Sequence, residues 1–375
     1  MSPEVASLTR RRAVEMSGDE SVVEGPLSGY HHETYVFPLP GAAGGGQGVR
    51  WKCREPRSGL LWFDRRCFAS EEQLLVSLRG RISGIPEIIE ADGLRLQRFV
   101  EGRTLGTLWA SGLPVPEALC RQIVRLFGEM AEVTPQTLPV ERRCRAADRP
   151  EDGDTDGFLE RLVAFTEERV YRGNRDRFGG LFAELGLDGD CFRHLRKHVS
   201  GLSERPFCLL HADLHRENFI VDRNGRLWTI DWELALFGDP LYDLATHLYL
   251  MRYPARQAHD MARRWAAAVE RVRAGSANGW QRDLNRLIAY KKAQSVFTDV
   301  IRVALSLDTG PGPGSGPGPG PLGPRLAGAR RKIHRILAAA AGPLGIDSVP
   351  GHRQIGAALL GWVGDHGRNP AVTWR

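Results

Sequence analysis

The sequence predicts an α+β protein with two lobes, a small strand-rich lobe followed by a larger helical one. Runs rich in Val, Ile and aromatic residues, separated by Gly and Pro, recur between residues 21 and 100 and indicate strands. Apolar residues at helical spacing dominate from residue 105 to about 203 and again after residue 245. The chain has 375 residues, which is long enough for two lobes and a sizeable core.

Composition places the chain among ordinary globular proteins, with 42% hydrophobic and 26% charged residues. The net charge of +6 is small beside 51 basic and 45 acidic side chains, and no nucleic-acid-binding motif accompanies it, so we expect no nucleic-acid partner. The six cysteines form no C-x-x-C pair, which favours reduced thiols and a cytoplasmic protein. No apolar run reaches the length of a membrane span, and no apolar segment follows Arg10–Arg12 as in a secretory signal.

The N-terminal lobe is expected over residues 21–100, after a flexible or weakly helical lead-in at residues 1–20. Strands are predicted at residues 22–24, 34–39, 49–54, 85–89 and 94–100. A Gly-rich loop at 41–48 separates two of them.

Alternation along the strand at 49–54 places Arg50, Lys52 and Arg54 on one face. Ser70 is a good N-cap for a following helix that carries Glu71 and Glu72 in its first turn. The strand and the helix therefore present basic and acidic side chains within the same lobe.

The stretch from 208 to 245 carries the most specific pattern in the chain. A polar loop at 211–218 is followed by two β-rich runs, with an Asn-Gly turn between them that predicts a hairpin. The returning strand ends at Asp231, so the hairpin should bring Asp231 close to Asp213 and Asn218. Two carboxylates and an amide oxygen suit Mg²⁺, and one carboxylate can remain free to accept a hydroxyl proton. This is the arrangement that phosphoryl transfer requires.

These residues resemble the catalytic core of the aminoglycoside phosphotransferase and choline kinase-like family, which is related to the protein kinases. The pattern H-x-D-x-x-x-x-N is present as His211, Asp213 and Asn218, Asp231 is the following metal-binding aspartate, and G-D-P-x-x-D-L-A spans 238–245. The resemblance implies a two-lobed protein-kinase-like fold. It also implies transfer of the γ-phosphate of ATP or GTP, with Mg²⁺, to a hydroxyl of a small molecule.

The resemblance assigns roles to particular residues. Asp213 would accept the hydroxyl proton, with His211 beside it supporting the catalytic loop, and Asp239 and Asp243 would bond the loop backbone. Asn218 and Asp231 would bind Mg²⁺. Lys52, with Arg54 as the alternative, would bind the donor phosphates, and Glu71, with Glu72 as the alternative, would orient it. The further positions implied to contact the nucleotide are Ser28, Gly29, Gln97, Phe99 and Val100.

The C-terminal lobe is expected over residues 101–375. Its helical insert, at about 105–203, would shape the acceptor site. Acidic residues at 151–156 lie beside basic ones at 142–149, a balance that favours an acceptor of low net charge over a polycation. The Gly/Pro tract at 308–324 is expected to be a disordered loop, and residues past 343 show no regular pattern.

Several alternatives stay open at this stage. Antibiotics of nucleoside or sugar type, a polycationic aminoglycoside and a primary metabolite are all possible acceptors. A kinase-like binding protein without activity is a further alternative, although every acidic catalytic position is filled. Arg216 occupies a place that is usually small or Pro/Gly in the family, and it is expected either to touch a phosphate or to pair with Glu217. The oligomeric state, monomer or homodimer, is open.

Overall fold

The computed structural model describes residues 7–27, 32–40, 49–56, 66–145, 148–308 and 322–366. Two of the predicted nucleotide contacts, Ser28 and Gly29, lie outside the described residues. Most of the Gly/Pro tract, residues 309–321, lies outside them as well.

The N-terminal lobe is built on one antiparallel four-stranded sheet with the strand order β1-β2-β4-β3. Its elements are helix α1 (Leu8–Ser17), β1 (His32–Pro38), β2 (Arg50–Pro56), helix α2 (Glu71–Leu78), β3 (Ile88–Ala91) and β4 (Leu94–Arg98). The register places Lys52 opposite both Val36 and Gln97, so these three side chains share one face of the sheet. The opposite face carries a small apolar cluster that includes Trp51 and Leu96.

Part of the expected N-terminal lead-in is an ordered helix. Ser7 caps α1 by accepting a hydrogen bond from the Arg10 amide at 3.2 Å, and Ala13 and Thr9 are buried against the sheet. After α1, Asp19 caps a 3₁₀ turn at Glu20–Val22. The predicted strand at 22–24 is therefore wrong except at Glu24, which forms a single bridge with Val36.

The chain enters the second lobe after residue 102. Strand β5 (Arg103–Thr104) pairs with β7 (Phe219–Val221), which in turn pairs with β8 (Leu227–Thr229). A second small sheet joins β6 (Cys208–Leu210) to β9 (Leu236–Gly238). The predicted hairpin is thus confirmed, and it lies directly beneath the point where the chain crosses between lobes.

Helices make up the rest of the second lobe, both within the predicted insert and in the segments after it. They are α3 (Leu105–Leu108), α4 (Glu117–Glu132), α5 (Thr155–Phe165), α6 (Arg175–Glu184), α7 (Asp190–Val199), α8 (Pro240–Met251), α9 (Ala255–Val272), α10 (Trp280–Asp308), α11 (Leu322–Leu344) and α12 (His352–His366). A π-helical turn at Thr166–Tyr171 extends α5. None of the helices within the described residues is long and apolar enough to span a membrane.

The expectation of no regular structure past residue 343 is wrong for residues 352–366, which form the helix α12. Ile355, Leu359 and Trp362 lie at helical spacing, are buried, and dock onto the rest of the lobe. The Trp362 ring stacks on Phe178 of α6 at a centroid distance of 5.0 Å. The helical spacing of these apolar residues is present in the sequence, but the stripe is short and was not interpreted as a helix.

Aromatic packing fixes the insert against α10. Phe297 of α10 stacks on Phe192 of α7 at 4.7 Å and meets the rings of Tyr171 and Phe182 edge-on. Such pairs add roughly 0.5–1.5 kcal/mol each beyond the area that they bury. Because residues 290–302 of α10 also line the cleft that holds Asp213 and Asp231, this cluster sets the position of one cleft wall.

A fully buried ion triad joins three segments of the helical lobe. The Arg205 guanidinium donates two hydrogen bonds to Asp239, at 2.8 and 2.7 Å, and one to Asp283 at 2.9 Å. All three side chains are 0% exposed. Asp239 also caps α8 by accepting from the Leu241 amide at 2.9 Å. The triad therefore holds the start of α8 and the start of α10 to the strand β6 that precedes the catalytic loop.

We expect Arg205→Met to lower the free energy of unfolding by about 3–5 kcal/mol, because buried Asp239 would lose its cation and buried Asp283 would keep only its pair with Arg282. Urea denaturation at pH 7 measures the change. Arg193→Ala is the matched control, since Arg193 makes an exposed ion pair with Asp190 and such pairs contribute little. Equal losses in the two variants would contradict a special role for the triad.

Candidate active site

The loop between β6 and β7 and the end of β8 meet at the floor of a cleft of about 420 Å³. The hairpin register continues past the strands, because the Ile230 amide donates to the Asn218 carbonyl at 3.0 Å. Asp231 follows at once, and Asp213 and Asp231 both line the cleft. The structure therefore brings together the three polar residues that the hairpin was expected to gather.

Asp213 presents a partly exposed carboxylate, with its side chain 29% accessible. Its Oδ2 lies 3.3 Å from both the His215 Nε2 and the Asn218 Nδ2, and Asn218 also donates to the Asp213 carbonyl at 2.9 Å. Burial opposes a charge on His215, but the hydrogen bond to Asp213 and the Asp213 charge outweigh it and raise the His215 pKa. The Asp213 carboxylate is thus oriented through one of its two oxygens, Oδ2.

His211 lies behind the loop and is fully buried. Its Nε2 lies 3.1 Å from the Ile230 carbonyl, and its ring packs on Trp232 at 4.6 Å. Burial lowers its pKa to about 4, so the ring is neutral at physiological pH. This geometry supports the loop and gives His211 no contact with the cleft.

Asp243, at the start of α8, holds the loop from below. It accepts hydrogen bonds from the backbone amides of His211 at 3.0 Å and of Ala212 at 2.7 Å. Ala212 has a left-handed backbone with φ of 65°, which a non-glycine residue adopts only where neighbours hold it. The expected bonding of the loop backbone is present at Asp243. The same prediction is wrong for Asp239, whose carboxylate accepts hydrogen bonds from Arg205.

Arg216 does neither of the things expected of it. Its side chain is buried, and the guanidinium donates to three backbone carbonyls, those of Trp109 at 2.9 Å, Leu113 at 2.8 Å and Met251 at 3.0 Å. Glu217 instead accepts from the Thr104 hydroxyl at 2.7 Å. Sequence reasoning missed this role because backbone carbonyls leave no side-chain pattern.

The expected pair between Lys52 and Glu71 is not formed. Arg54, the open alternative, binds both acids of α2, with an ion pair to Glu71 and another to Glu72 at 3.0 Å. The second oxygen of Glu71 accepts from the Trp232 amide at 3.0 Å, immediately after Asp231. Glu71 therefore links α2 to the segment that carries the predicted metal ligand, and Arg54 holds it there.

Lys52 remains on the cleft face of β2, beside Arg54. Burial lowers its pKa, and the nearby charge of Arg54 lowers it further, whereas Glu71 and Asp231 act in the opposite direction. Among the described residues no hydrogen bond or ion pair occupies the Lys52 ammonium. The side chain is therefore available to an anionic group entering the cleft.

Acidic groups are crowded at Asp231. Burial raises its pKa to about 6, and the charges of Glu71 and Asp213 add to the effect. Glu233, two residues on, has a pKa raised to about 7 by burial and by Asp231, although Arg66 pairs with it at 2.8 Å. This surplus of negative charge fits a cation.

The donor set also fits Mg²⁺ rather than a metal held by protein alone. Within the described residues no group of three or more His, Cys, Asp or Glu is arranged to bind a metal. Mg²⁺ commonly uses one or two carboxylates and takes its remaining oxygens from water and substrate phosphates. The predicted ligands Asn218 and Asp231 would form such an incomplete set.

Gln97 is the most informative of the predicted nucleotide contacts. It is only 2% exposed, it shares the cleft face with Lys52, and neither its amide nitrogen nor its amide oxygen has a partner among the described residues. An unpaired buried amide is costly, which fits a polar ligand beside it. Phe99 and Val100 lie where the chain leaves this sheet, but the Phe99 amide already donates to the Arg50 carbonyl at 2.8 Å.

The chain belongs to the phosphotransferase enzyme family (APH), whose family model matches residues 63–275, more than half of the sequence. The match includes α2, the catalytic loop, the hairpin and α8. The predicted α+β, two-lobed, kinase-like fold and the predicted family are thus confirmed, and the protein is a phosphotransferase. Comparison with curated protein sequences gave no match.

Solved structures with a similar fold include a choline/ethanolamine kinase family protein from Mesorhizobium loti, at 16% identity and a TM-score of 0.49, covering 93% of this chain and 97% of that one. Another is a thermostable mutant of aminoglycoside phosphotransferase APH(4)-Ia with ADP and hygromycin B, at 17% identity and a TM-score of 0.49, covering 90% and 100%. A third is the macrolide 2′-phosphotransferase MphH from Brachybacterium faecium, at 14% identity and a TM-score of 0.45, covering 88% and 95%.

We expect Asp231→Asn to stabilise the metal-free protein at neutral pH. The folded-state pKa of Asp231 is about 6 against an ordinary value of 3.8, so the folded chain resists ionising this group. Below the ordinary value both states are protonated and the wild type carries no penalty. As pH rises through the folded pKa, the wild type loses stability that the neutral variant keeps.

Urea denaturation in a chelator at pH values from 4 to 8 tests this expectation. The gap between variant and wild type should open between about pH 4 and 6 and then stay constant. Asp190→Asn, an exposed carboxylate paired with Arg193, is the control and should show no such gap. A variant that is less stable than wild type across the whole range would contradict the crowding of charge at Asp231.

Proposed function

We propose that the protein transfers the γ-phosphate of ATP or GTP, with Mg²⁺, to a hydroxyl group of a small molecule of low net charge. The observation that carries the proposal is the placement of Asp213. Its carboxylate is partly exposed at the floor of the cleft, is oriented by Asn218 and His215, and lies on the same cleft as Asp231. A base facing the acceptor beside oxygen ligands for a metal is what phosphoryl transfer needs.

In this proposal each residue of the chain has a distinct task. Asp213 accepts the proton of the acceptor hydroxyl, and its hydrogen bonds to Asn218 and His215 keep it turned toward the cleft. Asn218 and Asp231 hold Mg²⁺, which, when bound, neutralises negative charge on the donor phosphates. Lys52 faces the same phosphates as an unpaired ammonium. Arg54 and Glu71 keep α2 and the Asp231 segment in register across the cleft.

The far wall of the cleft supplies the acceptor site. It combines aromatic surface with neutral polar groups from the insert, α8 and α10, a mixture suited to the rings and hydroxyls of a sugar or nucleoside. These residues are Phe165, Thr166, Tyr242, Tyr249, Tyr290, Gln294, Ser295 and Thr298. Tyr249 and Ser295 hydrogen-bond each other at 2.8 Å, which fixes two of these groups in place.

The acidic residues of the insert do not face this wall. Asp152 binds the Phe207 amide and Arg273, Asp154 caps α5, and Asp156 accepts from the Gly201 and Leu202 amides. Glu160 and Glu167 both pair with Arg196. These five acids of the insert are therefore used to hold the helical lobe together.

Basic side chains, by contrast, do reach the wall. Arg252, Lys291, Arg302 and Lys332 line the cleft, while Asp299 and Glu233 are the acids there besides Asp213 and Asp231. Asp299 is itself paired with Lys332 at 2.9 Å. Each ammonium of a polycation must keep a partner when it leaves water. This charge balance supports an acceptor of low net charge over an aminoglycoside.

We expect Asp213→Asn to abolish most turnover while leaving nucleotide affinity nearly unchanged. Loss of a general base typically lowers the rate by about 10²–10⁴. Asp231→Asn should instead weaken Mg²⁺-dependent nucleotide binding, because a carboxylate on the metal is lost. Calorimetric titration with nucleotide and Mg²⁺ separates the two effects, and the exposed Asp260→Asn variant is the control. Near-normal turnover in Asp213→Asn would overturn the assignment of the base.

A screen of hydroxylated compounds, scored by a phosphate-sized gain in mass, tests the acceptor class. We expect neutral sugar- or nucleoside-containing compounds to be phosphorylated at rates that change little as salt rises. A polyamine acceptor bound through exposed charge pairs would lose rate as these pairs are screened. Efficient turnover of kanamycin-like polyamines with steep salt dependence would favour the aminoglycoside alternative.

A further inference from the structure

Two cysteines from distant parts of the chain lie side by side next to the cleft. Cys67 precedes α2, Cys144 lies between α4 and α5, and their sulfur atoms are 3.4 Å apart. Neither of the two forms a disulfide within the described residues. A disulfide has a sulfur–sulfur distance of about 2.05 Å, so closing the bond requires a shift of little more than an ångström.

The backbone, rather than side-chain rotation alone, holds the two cysteines together. Phe68 and Arg142 form an antiparallel bridge, and the Arg143 amide donates to the Cys67 carbonyl at 2.8 Å. The Ala69 amide reaches the Glu141 carbonyl at 3.3 Å. The two segments are therefore paired in register, with Cys67 opposite Arg143 and Cys144 one position further along the chain.

The surroundings of the pair favour reaction. Both cysteines line a small cavity of about 170 Å³ together with Arg142 and Arg149, and Cys144 is partly exposed. The Arg149 guanidinium donates to the Cys144 carbonyl at 2.7 and 3.2 Å. The cavity gives a small oxidant a route to the two cysteines.

The other four cysteines differ from this pair. Within the described residues, none of the four has a hydrogen-bond contact to a second cysteine sulfur, and burial raises the pKa of each thiol, to about 11 for Cys53 and Cys120. Buried thiols of high pKa are poorly reactive. Cys67 and Cys144 are thus set apart by the closeness of their sulfur atoms and by the partial exposure of Cys144.

We propose that Cys67 and Cys144 form a reversible disulfide when the protein meets a peroxide. The Cys144 thiolate attacks hydrogen peroxide, the O–O bond breaks, and water leaves after protonation, which gives a sulfenic acid at Cys144. The Cys67 sulfur then attacks the Cys144 sulfur, and a second water leaves as the disulfide forms. One peroxide is reduced to two waters, and the two thiols together lose two electrons and two protons.

The crosslink would tie the segment that leads into α2 to the helical lobe. Cys67 follows Arg66, which pairs with Glu233 in the cleft at 2.8 Å, and it precedes Ser70, the N-cap of the helix that carries Glu71. The bond closes a long loop, since the two cysteines are 77 positions apart. A crosslink over so long a loop restricts the unfolded chain strongly and should raise the thermal unfolding midpoint by roughly 5 °C.

Peptide mapping of the full chain tests the proposal. The protein is treated with hydrogen peroxide, alkylated, digested without reductant and analysed by mass spectrometry, and thermal unfolding is followed before and after dithiothreitol. We expect a peptide pair joined through Cys67 and Cys144, lighter by two hydrogens than its reduced form. We also expect a rise in the unfolding midpoint that dithiothreitol reverses.

Variants make the outcome specific. Cys144→Ser, at a partly exposed position, should lose both the crosslink and the rise in midpoint, whereas the matched control Cys53→Ser should keep both. Alkylation of Cys67 and Cys144 after peroxide treatment, oxidation of Cys144 beyond the sulfenic acid without a crosslink, or a rise in midpoint that persists in Cys144→Ser would overturn the proposal. The mapping on wild type remains decisive even if a serine variant folds poorly.

Discussion

Four carboxylates approach one another at the base of the cleft, those of Asp213, Asp231, Glu71 and Glu233. The surrounding side chains offset part of the repulsion between them. Two like charges about 4 Å apart repel by about 4 kcal/mol at an effective dielectric constant near 20. Arg54 offsets Glu71, Arg66 offsets Glu233, and His215 contacts Asp213. Burial and the remaining charges of Glu71 and Asp213 still raise the pKa of Asp231 to about 6, which fits the proposed cation beside it.

Because these charges repel one another, the backbone that carries them must be held in a fixed conformation. The catalytic loop is held from below by Asp243, from the side by Arg216 and, one segment further away, by the Arg205 triad that anchors β6 and α8. None of these three residues touches the reacting groups in our proposal. Their contribution is to keep the catalytic loop, in which Ala212 has a positive φ, in one conformation.

Sequence reasoning was accurate where a pattern is local. The hairpin, the Ser70 cap and the gathering of Asp213, Asn218 and Asp231 all depend on residues close in sequence, at most 18 positions apart. It failed where the partner is distant. Alternation placed Lys52 and Arg54 on the same face of β2, but which of them meets Glu71 depends on how far along the strand α2 packs. Arg216 and Asp239 were misjudged for the same reason, since their partners lie on other segments and include backbone carbonyls.

The clamp made by Arg216 bears on how this enzyme can be altered. Its three acceptors belong to residues 109 and 113, just after α3, and to residue 251 at the end of α8. A catalytic loop copied from a relative with a small residue at this place would leave those carbonyls without their donor. The catalytic loop therefore cannot be exchanged by itself. A functional chimera has to carry the turn after α3 and the end of α8 along with it.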